Sequence, residues 1–123
     1  MKIIRREDIM AVKNPDPGEK FHRTEILTAA EGANNLGGLI QVVAPGVETT
    51  HHYHNIRESV IVIVDGEATE IVDGKEYELK AGDVVYLKAK EKHFIRNKSS
   101  KGHMRYIEFY TEPPVNKDYV AVT

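Results

Sequence analysis

The chain has 123 residues, enough to bury one core but too few for two domains. Its 17 Lys and Arg against 19 Asp and Glu leave a net charge of -2, with both signs scattered, which argues against a basic nucleic-acid groove or an anionic-membrane face. It has no cysteine, so disulfide scaffolds, thiolate metal sites and cysteine nucleophiles are excluded, and any metal must be held by nitrogen and oxygen.

Residues 1–8 lack the apolar stretch of a signal peptide. No run approaches the roughly 18 apolar residues of a membrane span. The expectation is a cytoplasmic protein with neither membrane nor nucleic-acid partners. Residues 2–10 carry a short apolar pair and then charge, an edge strand or a single helical turn. Asn14-Pro15-Asp16-Pro17-Gly18 is loop chemistry. Residues 21–28 read as a strand and 29–35 as a loop. Residues 36–43 read as a strand whose early Gly37 and Gly38 suggest a bulge or a close backbone approach. Ala44-Pro45-Gly46 is a turn.

The next stretch holds three histidines and a carboxylate in eight residues, His51 to Glu58. In a strand, residues two apart share a face, so His52 and His54 aim at one point while Tyr53 faces away. His51 has the opposite parity and is expected to be exposed. Two imidazoles near a carboxylate form a partial metal shell. Val60 to Val64 is then five β-branched residues in a row, a strand covered on both faces. Residues 67–72 and 75–79 form a hairpin across Asp73-Gly74. Strands at 84–87, 93–97 and 105–110 follow, and Pro113-Pro114 stops the last. About nine short strands without a long amphipathic helix predict an all-β sandwich or barrel.

Two motifs carry a family resemblance. Cupins show a first motif of Gly, five residues, His-x-His, three or four residues, Glu, six residues, Gly. Gly46, His52, His54 and Glu58 fit it, and Gly66 falls one residue late. Their second motif is Gly, five residues, Pro-x-Gly, two residues, His, three residues, Asn. Gly82, His93 and Asn97 keep that spacing, with Lys88 and Lys90 replacing Pro and the inner Gly. The chain thus resembles a small single-domain cupin with its core at about 36–110, an N-terminal arm at 1–20 and a tail at 111–123.

The resemblance implies a double-stranded β-helix, or jelly-roll barrel. It also implies one divalent transition metal (iron, manganese, nickel, copper or zinc) held by His52, His54, Glu58 and His93. The acidic position is ambiguous. Counted from His54 it is Glu58, and counted back from Gly66 it is Ser59; alternation forbids both facing inward without a bulge. Glu58 is the favoured ligand, because a bulge costs less than a carboxylate buried between the sheets.

The implied function is that of a metalloenzyme, a dioxygenase, decarboxylase or isomerase acting on a small organic molecule inside the barrel. The competing reading is a non-catalytic module that holds a sugar, an organic acid or the metal itself. The sequence displays no convincing catalytic acid or base. Gln41, Arg105 and Tyr106 are candidates to line the cavity. Asn97 is expected to bond backbone and Asp83 to sit in a turn. Lys88, Lys90 and Lys92 are expected on a solvated face, and His22 and His103 at the surface or behind the site. The family also implies a homodimer, with the tail at 115–122 as a candidate contact.

Overall fold

Period-two alternation and punctuating turns assemble the barrel in a computed structural model that describes all residues, 1–123. Its strands are β1 (Phe21–Leu27), β2 (Gly37–Val43), β3 (His52–Tyr53), β4 (Ser59–Asp65), β5 (Glu67–Val72), β6 (Lys75–Lys80), β7 (Val84–Leu87), β8 (His93–Asn97), β9 (Met104–Tyr110) and β10 (Val120–Ala121). Two five-stranded sheets result, ordered β1-β2-β9-β4-β7 and β10-β3-β8-β5-β6. All strand pairings are antiparallel. This is the double-stranded β-helix expected from the sequence. No helix is long and apolar enough to cross a membrane.

Local chemistry explains the details. The expected hairpin forms across Asp73 and Gly74, whose φ angles of 49° and 83° are those of a type I′ turn. Gly37 lies against the Tyr110 ring, where a Cβ would sit 2.4 Å from the nearest ring carbon. The early glycine of β2 therefore marks a close approach. The N-terminal stretch resolves as helix α1 (Arg6–Met10) rather than an edge strand. Arg105 faces this segment and not the cavity, donating to the carbonyls of Ile9 and Val12 at 3.0 and 2.9 Å. The tail folds back on its own barrel, where Val120 pairs with Tyr53 and Ala121 with His52.

The interior changes character along the barrel axis. At one end, Val43, Ile63, Ala68 and Met104 form an apolar plug. Asn97 closes that end as expected, its buried amide donating to the carbonyls of Val43, Ala44 and Gly102 at 2.8–3.1 Å. Moving along the same strands, β2 turns inward Gln41, β5 Glu70, β8 His93 and β9 Tyr106 and Glu108. The apolar end supplies the packing, and the other end is left free for chemistry.

Lys90 stands where the second motif carries its inner glycine. It adopts a left-handed φ of 73°, and its N–H donates to the His54 carbonyl at 2.7 Å. The loop thus ties the second motif to the first, at the expense of left-handed strain. That strain is about 1–2 kcal/mol for a non-glycine residue. A glycine frees the unfolded chain by about 0.4–1 kcal/mol in compensation. Lys90→Gly is therefore expected to stabilise the protein by about 0.5–1 kcal/mol, read as a higher urea midpoint at unchanged slope.

Candidate metal centre

His52 lies on β3, His93 on β8, and the two are direct cross-strand partners. His54 follows two residues after His52, just past the end of β3. The ring centroids of His52 and His93 are 4.3 Å apart, and those of His52 and His54 are 4.8 Å apart. One ligating atom from each of the three histidines lies within 4.8 Å of the others. The structure thus brings together two sequence motifs some forty residues apart.

Every ring is oriented the same way. The Nδ1–H of His52 donates to the Thr50 carbonyl at 2.6 Å, that of His93 to the Glu91 carbonyl at 2.9 Å, and that of His54 to the Asp118 carbonyl. A carbonyl can only accept, so each Nδ1 keeps its proton and each Nε2 offers a lone pair. Burial holds all three imidazoles neutral. It pulls His52 down to about 3, aided by His93. It also lowers His54 and His93, against the opposing pull of the Asp118 and Glu91 carbonyls. Neutral rings with fixed tautomers and converging Nε2 atoms are what a divalent metal requires. The residues present fit such an ion.

Glu58 does not join them. It is exposed and accepts a hydrogen bond from the Tyr86 hydroxyl on the outer face of the sheet. The reason is strand parity. Ser59, Ile61 and Ile63 are the buried positions of β4, and Ser59 pairs in regular register with Tyr110. The register irregularity comes later, between Ile63 and Asp65, too far along to turn Glu58 inward. Glu58 also lies at the strand end, so no burial cost forces a bulge. With the four-residue spacing that the first motif also allows, Ser59 takes the acidic position and Gly66 falls in register. The first motif is then intact but for its carboxylate.

Other carboxyls enter the interior from strands whose parity the sequence leaves open. A cavity of about 250 Å³ adjoins His52 and His54 and is walled by Gln41, Tyr106 and Glu108. Burial pushes the Glu108 carboxyl up, opposed by the guanidiniums of Arg57 and Arg23. Glu70 is 1% exposed, and burial, with Glu108 nearby, pushes it up to about 9. The Gln41 amide donates to the Tyr106 hydroxyl at 2.7 Å and accepts from Arg23 Nε at 3.0 Å. Gln41 and Tyr106 were anticipated from the sequence; Glu70, Glu108 and Arg23 were not.

The tail completes the site, which nothing in its composition announced. Tyr119 stacks on His52 at 4.6 Å. The Asp118 carboxylate accepts from the backbone N–H groups of Asn55, Ile56 and Arg57 at 2.7–2.9 Å. Burial alone would raise its pKa, but these three amides outweigh it and hold the carboxyl at about 2. Arg57 in turn donates to the carbonyls of Thr111, Glu112, Pro114 and Val115 at 2.9–3.0 Å. Asp118→Ala removes an anionic acceptor shared by three amides. Its expected cost is about 1–3 kcal/mol of stability, measured by chemical denaturation.

No functionally curated protein is detectably similar in sequence. Solved structures are similar in fold. An uncharacterised Klebsiella pneumoniae protein with a double-stranded β-helix domain matches at TM-score 0.79 and 21% identity, over 100% of this chain and 98% of that one. KdgF from Halomonas sp. matches at 0.70 and 14%, over 85% and 87%. A cupin-superfamily sugar phosphate isomerase from Silicibacter pomeroyi matches at 0.63 and 20%, over 75% and 60%. The family model for the cupin domain matches residues 39–110, a span that contains all three histidines, and the chain belongs to that family.

Proposed function

We propose that this cupin is a divalent-metal enzyme that moves protons on a small, oxygen-rich organic acid or sugar derivative, in isomerase or lyase chemistry. The observation that carries the reading is Glu108, a half-buried carboxyl in the wall of the cavity that His52 and His54 also line. Imidazole ligation suits zinc, copper, iron or nickel. A divalent ion there supplies Lewis acidity to a substrate oxygen.

The chain's own residues do the rest. Burial raises the Glu108 carboxyl, so it holds a proton more readily than a solvated one and suits general acid–base work. The Tyr106 hydroxyl accepts from Gln41, which leaves its own proton free to donate toward the cavity. Arg23, an exposed residue at the cavity, makes its one hydrogen bond within the protein through Nε, which leaves both terminal amino groups free for a carboxylate or phosphate. Tyr119 stacks on one face of the His52 ring at the cavity. A structural neighbour described as a sugar phosphate isomerase is compatible with this chemistry. Its likeness extends to the fold, while the catalytic reading rests on Glu108 and the histidines.

Two measurements test the proposal. Purified protein is expected to contain close to one transition metal per chain by elemental analysis, and His93→Ala to lose it while remaining folded. Metal-free protein that cannot be loaded would sink the site. In D2O, the metal-loaded protein is expected to incorporate deuterium beside the carbonyl of at least one member of a panel of keto acids and sugar phosphates. Glu108→Gln is expected to slow that exchange by roughly 100-fold or more while retaining the metal. Tight binding of a panel member without exchange would instead favour a non-catalytic binding module.

A further inference from the structure

The first motif's carboxylate is missing at Ser59, yet the barrel interior contains a carboxyl with nothing to bind. Both oxygens of Glu70 are buried without a hydrogen-bond partner, and so is the Ser59 hydroxyl. Buried polar groups are nearly always paired, so an orphaned carboxyl marks an absent partner. Glu70 projects from β5 on the sheet face that bears His93. It pairs with Ile95, and the next inward residue of β5, Val72, pairs with His93. A diagonal neighbour of this kind is within reach of a long side chain. Glu70, His52 and His93 also line a common void of about 20 Å³, enough for one water.

Glu108 borders the same void, but its situation differs. It has the guanidiniums of Arg57 and Arg23 to compensate it, and it also faces the larger cavity. Glu70 lies outside that cavity and has no such partners. It is also not among the ligand atoms that lie within 4.8 Å of one another, which leaves a gap between it and the histidine centre.

We propose that Glu70 supplies the carboxylate that the chain lacks at Ser59, acting on the metal held by His52, His54 and His93 through one water in the shared void. The inference rests on the metal-centre reading above. Three neutral imidazoles leave the full charge of a divalent ion uncompensated inside the barrel. An acceptor carboxylate opposite them neutralises part of that charge and orders the bridging water. Glu70 is thus a positioning residue for the metal and its water, whereas Glu108 faces the substrate.

Chelator-competition titration with Co2+ tests it on the metal-free chain. Glu70→Gln is expected to weaken Co2+ binding by roughly 10–100-fold and to change the visible absorption of the bound ion. Glu108→Gln and Ser59→Ala are expected to leave the affinity within about threefold, well below that loss. Melting of each metal-free variant checks the fold. Should Glu70→Gln fail to fold, infrared difference spectra of Glu108→Gln, which keeps Glu70, provide the second readout. Zn2+ addition is expected to remove a protonated-carboxyl band. Equal affinity of Glu70→Gln and wild type, a larger loss in Glu108→Gln, or an unchanged infrared band would overturn the role of Glu70. Absence of Co2+ binding by the wild type would instead remove the metal centre on which it rests.

Discussion

Three hydrogen bonds, each from a histidine Nδ1 to a backbone carbonyl, decide what this barrel can be used for. Their acceptors, Thr50, Glu91 and Asp118, come from three separate parts of the chain. The site therefore exists only when the histidine segment, the loop before β8 and the C-terminal tail are all in place. The need for such bracing follows from the shortness of β3, which is two residues long and meets β8 at a single residue pair. So little ladder cannot fix two imidazoles by itself. Asp118 supplies the missing rigidity twice, through its carbonyl to His54 and through its carboxylate to the next three backbone amides. Arg57 returns the connection, pinning the segment that carries the chain from β9 to the tail.

That bracing is coupled to a division of labour along the barrel. Polar interior groups cost stability unless they are satisfied. At the apolar end, the buried Asn97 amide is fully satisfied. The unsatisfied groups, Glu70 and Ser59, lie toward the histidines. The distribution is what a stability–function trade-off predicts, since real proteins depart from local rules at functional sites. The Lys90 backbone follows the same logic, because its strained φ lets its N–H reach the His54 carbonyl.

The parts of this arrangement differ in how far the sequence reveals them. The hairpin at Asp73-Gly74, the close approach at Gly37 and the role of Asn97 were all legible, because each depends on local backbone chemistry. The histidine set was legible because two spacings converge on it. Glu58 was misread because spacing alone fits two adjacent residues, and only the register of Ser59 against Tyr110 decides which one faces inward. Glu70 and Glu108 were invisible for a related reason. On β9 both faces carry apolar side chains, Ile107 and Phe109 on one and Tyr106 and Tyr110 on the other, so alternation does not say which face is inside. On β5 four successive residues, Ala68 to Ile71, are buried, which again removes the period-two contrast. Asp118 lies in a tail with no periodicity at all, and its importance is purely tertiary.

The replacement at Ser59 has a consequence for the charge of the whole centre. A shell with a carboxylate ligand carries one negative charge directly on the ion. Here the three histidines that would hold the ion are neutral, and the acidic groups stand one layer back, at Glu70 and Glu108. An ion in such a shell keeps more of its positive charge toward the cavity, which strengthens its pull on a substrate oxygen. The guanidinium of Arg23 at the same cavity adds to that positive potential. Under the proposed function both features favour an anionic substrate, and a nearby group is needed for the proton that such a substrate would give up. Glu108 borders the histidine void and the cavity alike, which suits it to that proposed role. In the proposed centre, the serine at the acidic position of β4 and the acids on β5 and β9 thus form one electrostatic arrangement, with the negative charge set one layer back from the ion.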